Sequence, residues 1–217
     1  SRFELNELAA GERVLHGTRL VVAAGTGFGA AALTWSGQTR VPVSGPIRHA
    51  RFALPAGSGL DLGKVFGDGS AVTTEDVFSG RGLLAVYRAL AERGGAAPML
   101  RTAPAVSKAA IANEDEAAVE AVRLTVGWLG ALVGDLALSF GARGGVYLGG
   151  GMLANIVPLL RTPAFRDAFL GDGERRAYLT PIGVNVIKTG ADAGLRGAAI
   201  ALAQALPVPP KRAAARA

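Results

Sequence analysis

The chain has 217 residues, of which 31 are glycine, none is cysteine and only 13 are aromatic. Glycine is about twice as frequent as usual, but there is no Gly-X-Y period and 50% of the residues are hydrophobic, which excludes a collagen-like or a disordered low-complexity chain. The net charge is +6, yet the basic residues are scattered along the chain rather than clustered, which argues against a nucleic-acid partner, and the absence of cysteine favours a cytoplasmic protein.

The first elements are predicted to be three antiparallel strands. Apolar runs predict a buried strand at residues 19–24 and its hairpin partner at 30–35, joined by the glycine-rich turn GTGFG at 25–29. A third strand is predicted at 39–43, and Pro42 favours a sheet edge because proline has no N–H to donate to a neighbour. These strands form a predicted antiparallel meander.

The uncharged stretch that contains the first two strands is long enough to span a bilayer. It has 20 residues between Arg19 and Arg40, but four of them are glycine and several carry hydroxyl groups. We interpret it as two short strands broken by a turn, and expect no membrane partner.

Helical patterns dominate the middle of the chain. Thr74 is predicted to cap a turn that starts at Glu75, and residues 82–92 are predicted to form a helix. The clearest helix is predicted at 114–140, with Asn113 as its N-cap. Its apolar residues recur at spacings of three and four, as expected of a buried helix face: Val119, Val122, Val126, Leu129, Val133, Leu136 and Phe140.

Shorter elements follow the long helix. Strands are predicted at 144–149 and 184–188, and helices at 165–169 and 194–206. Three strands followed by alternating helices and strands are typical of a ribonuclease H-like (actin-like ATPase) domain. The predicted fold class is therefore α/β, with a mixed five-stranded sheet, an antiparallel three-strand meander and flanking helices.

Two glycine-rich turns are the candidate chemical sites. In the GTG turn, Gly25 to Gly27, backbone N–H groups without neighbouring Cβ atoms can approach a phosphate closely. In GGVYLGGG, Gly149 and Gly150 end a strand and leave room for a ribose or a flat ring. Either run could equally be a simple tight turn, and neither matches a Walker loop or a dinucleotide-binding fingerprint.

Six sequence runs, which include both glycine-rich turns, occur along the chain in this order: GTGFG (25–29), TEDVFSGRGL (74–83), GDLALSFGARGG (134–145), GGVYLGGG (144–151), FRDAF (165–169) and DAGLRGAA (192–199). Together they resemble the bacterial glucokinase family of the hexokinase–actin superfamily. The resemblance implies that residues 1–206 form the large C-terminal domain of that family, that a smaller lobe lies upstream, and that residues 207–217 form a disordered tail.

The resemblance implies a glucokinase-type enzyme of glycolysis, which transfers a phosphoryl group from ATP, with Mg²⁺, to the 6-hydroxyl of glucose or a related hexose. Gly25, Thr26 and Gly27 would lie near the phosphates. Gly149 and Gly150 would lie near adenosine. The family also implies a homodimer.

The sugar-binding residues implied by the resemblance are His49 and Glu75. The family holds its sugar with a Gly-Glu-x-Gly-His segment and a later glutamate, and this chain has Gly-Pro-Ile-Arg-His at residues 45–49. Pro46 therefore replaces a hydrogen-bonding glutamate, and Arg48 adds a bulky cation. From the residues alone, His49 is equally a loop or core histidine, and Glu75 a first-turn acid that the helix dipole stabilises.

The catalytic residues of the family have no counterpart in this sequence. Its Asp-x-Gly-Gly-Thr phosphate motif and Asn-Asp catalytic segment precede the stretch that FELNELAAGERVL resembles. We therefore expect no catalytic base here and do not assign that role to Glu4, Glu7 or Asp61. Two functions stay open: a sugar kinase completed by the upstream lobe, or a non-catalytic glucokinase-like protein that binds nucleotide or sugar, or regulates.

Overall fold

A mixed β-sheet organises the chain. The computed structural model describes residues 4–12, 14–54, 60–67, 71–188, 197 and 199–200. Its strands are β1 (Leu5–Ala9), β2 (Arg19–Ala24), β3 (Phe28–Ser36), β4 (Thr39–Ser44), β5 (Val146–Gly149) and β6 (Val184–Ile187). Their order across the sheet is β1-β6-β5-β2-β3-β4. The predicted α/β class is confirmed, whereas the predicted count of five strands is wrong.

The strand that the sequence does not reveal is β1. Its segment, LNELA, has no strong apolar alternation and holds no buried side chain. It is a strand because it pairs antiparallel with β6, with Leu5 opposite Ile187, and because the Lys188 N–H donates to the Glu4 carbonyl at 3.0 Å. Pairing with a distant strand thus overrides weak local preference.

Strand β2 lies near the middle of the sheet, between a parallel and an antiparallel neighbour. It runs parallel to β5, with Ala23 opposite Gly149, and antiparallel to β3. The next strand, β4, pairs antiparallel with β3 and lies at the edge, as Pro42 predicts. The uncharged stretch at residues 20–39 is therefore a β-hairpin.

Between β4 and β6, the described residues form nine helices. They are α1 (Leu62–Phe66), α2 (Thr74–Val77), α3 (Gly80–Arg93), α4 (Ala103–Ala112), α5 (Glu116–Ser139), α6 (Gly151–Asn155), α7 (Val157–Leu160), α8 (Pro163–Leu170) and α9 (Gly173–Leu179). A 3₁₀ turn at Ile47–His49 precedes them. The predicted helix at 194–206 lies outside the described residues except for three positions, and the predicted tail at 207–217 lies wholly outside them.

The long helix α5 begins two residues later than predicted. Its N-cap is Asp115, whose Oδ1 accepts the Ala118 N–H at 2.9 Å. Asn113, the predicted cap, has a φ of 57° and instead ends α4 in the left-handed conformation. A short polar residue suits either kind of helix end, so composition alone does not distinguish them. Most of the predicted apolar face is buried.

Helix α5 is also the one described helix that is long and apolar enough to cross a membrane by length and composition. Of its most apolar 18-residue window, 61% is buried inside the protein. Core helices of globular proteins share this property, so we interpret α5 as a core helix.

Helix α2 is capped by Thr73, and the prediction of Thr74 is wrong by one residue. The Thr73 hydroxyl accepts the Asp76 N–H, and the Asp76 carboxylate accepts the Thr73 N–H at 2.9 Å. The Thr74 hydroxyl instead donates to the Ile47 carbonyl at 2.7 Å. The two reciprocal hydrogen bonds between Thr73 and Asp76 form a capping box, which fixes the start of α2, the helix that carries Glu75.

We expect Thr73→Ala to lower the free energy of unfolding by about 1 kcal/mol, because it removes the cap of α2. Thr73→Ser keeps the oxygen and should stay close to the wild type. Urea unfolding of the three proteins measures the effect, and equal stability of Thr73→Ala and Thr73→Ser would contradict it.

Candidate functional site

The two glycine-rich turns meet at one edge of the sheet. Because β2 and β5 are parallel neighbours, their carboxyl ends lie side by side. The GTG turn leaves β2, and Gly150 leaves β5. A Cβ atom built on Gly25 would lie 3.7 Å from the Gly151 nitrogen, so the two turns lie next to each other.

A cleft of about 710 Å³ opens above these turns. One wall is formed by Ala23, Ala24 and the GTG turn, and another by Gly150 to Met152 with Asn155. Gly80 and the first two turns of α4 close the remaining side. Clefts at the carboxyl ends of strands are common ligand sites in α/β folds.

Hydrogen bonds hold the GTG turn in shape and leave donors for a ligand. The Gly25 N–H donates to the Gly27 carbonyl at 2.9 Å, and the Gly80 N–H donates to the Gly25 carbonyl at 3.0 Å. The N–H groups of Thr26 and Gly27 make no hydrogen bond to the described residues. Two such donors beside a cleft can bind an anion such as a phosphate.

Only glycine fits at position 150 of this turn. Its φ is 95°, and a Cβ at this position would overlap the Ala24 carbonyl, with the carbonyl carbon only 2.8 Å away. The backbone of one turn therefore rests directly on the strand that leads into the other. Gly149, also a predicted site residue, does not line the cleft; it is buried at the end of β5, facing Ile187.

Glu75 lies against the GTG turn without lining the cleft. Its Oε2 accepts the Phe28 N–H at 3.3 Å, and a Cβ built on Gly27 would lie 2.9 Å from that oxygen. The carboxylate therefore contacts the backbone that follows the turn.

His49 ends the 3₁₀ turn Ile47–His49 and is exposed. Two hydrogen bonds join this turn to α2: the Thr74 hydroxyl donates to the Ile47 carbonyl, and the Thr74 N–H donates to the Ala50 carbonyl at 2.9 Å. The structure thus brings the segment of His49 next to the helix of Glu75. Neither side chain lines the glycine cleft.

Helix α4 is the part of the cleft that sequence reasoning missed. It contributes Ala103, Pro104 and Ser107 to the lining. Thr102 caps the helix, and Pro104 stands in its first turn. A hydroxyl residue followed by proline is a recognised helix start and could have revealed α4.

The ionisable residues whose pKa values are shifted lie outside the cleft, and no metal-binding cluster is found among the described residues. The hydrogen bonds from Arg123 lower the pKa of Glu120, partly opposed by burial, and that carboxylate raises the pKa of Arg123. Neither residue lines the cleft. Among the described residues, no group of three or more His, Asp or Glu could hold a metal ion.

Comparison with known protein families gives one family match over nearly the whole chain. The family model named Glucokinase matches residues 1–205. Among curated relatives, the glucokinase of Rhizobium johnstonii is 34% identical over 171 residues, which are 78% of this chain and 50% of that protein. The glucokinase of Sinorhizobium medicae is 36% identical over 173 residues, 76% of this chain and 49% of that protein. The chain spans about half the length of the curated relatives it matches.

Solved structures share the fold. The glucokinase of an Antarctic psychrotroph superposes with a TM-score of 0.78 at 30% identity, covering 92% of this chain and 62% of that one. A ROK family glucokinase from Streptomyces griseus, solved with glucose and AMPPNP, has a TM-score of 0.63 at 25% identity and covers 87% of this chain and 61% of its own. These likenesses confirm a sugar-kinase type of α/β fold.

Proposed function

Because the chain belongs to the glucokinase family, we propose that it is the nucleotide-binding part of an ATP-dependent glucokinase. The observation that carries this proposal is the meeting of two glycine turns at the carboxyl ends of β2 and β5. They line one cleft, in which the Thr26 and Gly27 N–H groups are free of described partners. Backbone N–H groups without a partner, on a cleft surface formed by glycines, can bind a polyphosphate.

Each wall of the cleft has a distinct role in this proposal. The GTG turn hydrogen-bonds the phosphates, and Gly150 allows the nucleotide to approach the backbone at the end of β5. Mg²⁺ is expected to arrive with the phosphates, since it is commonly bound through phosphate oxygens and few carboxylates. No residue of the described chain is assigned as its ligand.

His49 and Glu75 are proposed to contact the hexose. Their supporting elements are hydrogen-bonded to each other, and Glu75 also contacts the end of the phosphate turn. A carboxylate and an imidazole both form strong hydrogen bonds with sugar hydroxyls. Pro46 offers no such side-chain group at the position of the family's glutamate, so sugar discrimination would depend more heavily on these two residues.

The proposed reaction is transfer of the γ-phosphoryl group to a sugar hydroxyl. This chemistry depends on positioning, charge neutralisation and a base that accepts the hydroxyl proton. We propose that residues 1–206 act as the large domain and that a smaller lobe supplies the base. A cytoplasmic location and a homodimer are further proposals that follow from the family.

Titration of ATP into the purified 217-residue chain tests the proposal. We expect one nucleotide site in the presence of Mg²⁺, and no glucose phosphorylation in a coupled assay, because no base is assigned in this chain. Absence of ATP binding would contradict the nucleotide site. Measurable turnover would contradict the assignment of the base to another lobe.

A second candidate function is a non-catalytic glucokinase-like protein that binds nucleotide or sugar. Pro46 in the sugar segment is the observation that favours it. The two readings are distinguished by the coding sequence that precedes Ser1. An Asp-x-Gly-Gly-Thr motif and an Asn-Asp pair there would support the kinase, and a coding sequence without them would support the non-catalytic protein.

A further inference from the structure

The segment that contains α2 and the start of α3 holds the GTG turn at both of its ends. At one end, the Gly80 N–H donates to the Gly25 carbonyl at 3.0 Å. At the other end, Glu75 Oε2 accepts the Phe28 N–H at 3.3 Å. The Phe78 ring also packs on the Phe28 ring, with 5.5 Å between the ring centroids, and both rings are buried. The turn is therefore attached to this segment before and after its two free N–H groups.

These attachments restrict the direction of the free donors. The Thr26 N–H belongs to the same planar peptide unit as the Gly25 carbonyl, so the hydrogen bond from Gly80 orients it. The peptide unit between Gly27 and Phe28 is held twice, because its carbonyl accepts the Gly25 N–H and its N–H donates to Glu75. The unit that carries the Gly27 N–H lies between these two held units.

The Glu75 carboxylate reaches the turn because residue 27 is glycine. A Cβ atom on Gly27 would lie only 2.9 Å from Glu75 Oε2 and 3.6 Å from its carboxyl carbon. The side chain is half-buried on a helix whose start is fixed by a capping box. Its second oxygen, Oε1, makes no hydrogen bond to the described residues and is available to a hexose hydroxyl.

We propose that Glu75 is a positioning residue for phosphate binding, which acts by accepting the Phe28 N–H and thereby orienting the free donors of the GTG turn. This inference rests on the proposed nucleotide-binding function and adds to the role of Glu75 toward the hexose. A carboxylate repels a polyphosphate, so its charge and its hydrogen bond act in opposite directions. Neutral variants that differ only in the acceptor oxygen separate the two effects.

The test is a calorimetric titration of inorganic tripolyphosphate with Mg²⁺, without sugar. Glu75→Gln keeps an acceptor oxygen, whereas Glu75→Met has a similar length and no oxygen. We expect Glu75→Gln to bind tripolyphosphate at least as tightly as the wild type. Glu75→Met should bind about threefold to tenfold more weakly than Glu75→Gln, as expected for loss of one hydrogen bond. A residue that contacted only the hexose would give no such difference.

Controls separate this role from a general loss of structure. Glu92→Gln removes a charge from an exposed residue of α3 that does not line the cleft, and should change the affinity by less than about twofold. Glu75→Ala adds no bulk at the turn and should match Glu75→Met, which keeps the test valid if the methionine disturbs the fold. The ¹⁵N-labelled Phe28 amide signal should move in Glu75→Met and stay near the wild-type position in Glu75→Gln.

The outcomes are distinct. Equal tripolyphosphate affinity of Glu75→Gln, Glu75→Met and Glu75→Ala would overturn the positioning role and leave the nucleotide site intact. An unchanged Phe28 amide signal in Glu75→Met would overturn the contact on which that role depends. If the wild-type chain binds neither ATP nor tripolyphosphate, the proposed function itself fails.

Discussion

Gly150→Ala should lower the free energy of unfolding by at least about 3 kcal/mol and abolish measurable nucleotide binding. Two effects combine. A φ of 95° is strained for any residue with a Cβ, and the new atom would overlap the Ala24 carbonyl. Relief requires the backbone around residue 150 and the Ala24 carbonyl to move apart.

That shift would damage the cleft directly. Ala24 immediately precedes the GTG turn, so displacement of its carbonyl changes the position of the Thr26 and Gly27 N–H groups. Phosphate binding through backbone donors depends on their alignment, and small displacements weaken it strongly.

The neighbouring glycine provides the matched control. Gly151 lines the same cleft, yet its φ is not in the left-handed region and a Cβ there would have no neighbour within 4 Å. Gly151→Ala should therefore keep wild-type stability within about 1 kcal/mol, since it meets neither strain nor overlap. Chemical denaturation of both variants measures the difference. Equal stability of Gly150→Ala and Gly151→Ala would contradict the packing of the two turns.

Gly130→Ala should destabilise the protein by about 1–3 kcal/mol, although alanine is the better helix former. Gly130 lies in α5, where it faces α8 across a very close contact. A Cβ on Gly130 would overlap the Phe165 carbonyl and lie 3.1 Å from its carbon. Helix α8 would have to move away from the core helix.

Gly127, one turn earlier in the same helix, should give the opposite sign. A Cβ on Gly127 would lie 3.6 Å from the Ala164 carbonyl oxygen, which is ordinary van der Waals contact. Gly127→Ala should therefore stabilise the protein by up to about 1 kcal/mol through helix propensity alone. Urea unfolding of the pair tests the prediction, and stabilisation of Gly130→Ala would show that the close α5–α8 contact is not required.

The central hairpin could be predicted from the sequence because local preference and tertiary pairing agree there. Apolar runs flank the GTG turn, and the observed β2 has the predicted bounds. The turn itself is shorter than predicted, since Phe28 and Gly29 already belong to β3. The six-stranded sheet could not be predicted, because β1 depends on a partner about 180 residues away, in β6.

The candidate site was predictable only in part, for a related reason. Glycine runs indicate where the backbone is accessible to a ligand, so the sequence alone predicts that Gly25, Thr26, Gly27 and Gly150 belong to the site. Whether the two runs meet depends on the parallel register of β2 and β5, which no local pattern encodes. The start of α4 is predictable from Thr102 and Pro104, but its place in the wall of the cleft is not, because Ser107 is an unremarkable residue in an alanine-rich helix until its burial is known.

The central claim is that both glycine turns contact one nucleotide. Nuclear magnetic resonance spectra of the ¹⁵N-labelled chain, recorded as ATP and Mg²⁺ are added, test it most directly. The amide signals of Gly25, Gly27, Gly150 and Gly151 should shift together, while those of Gly37 and Gly95, which do not line this cleft, should not. Shifts confined to one of the two turns, or unchanged signals for all four glycines, would contradict the account.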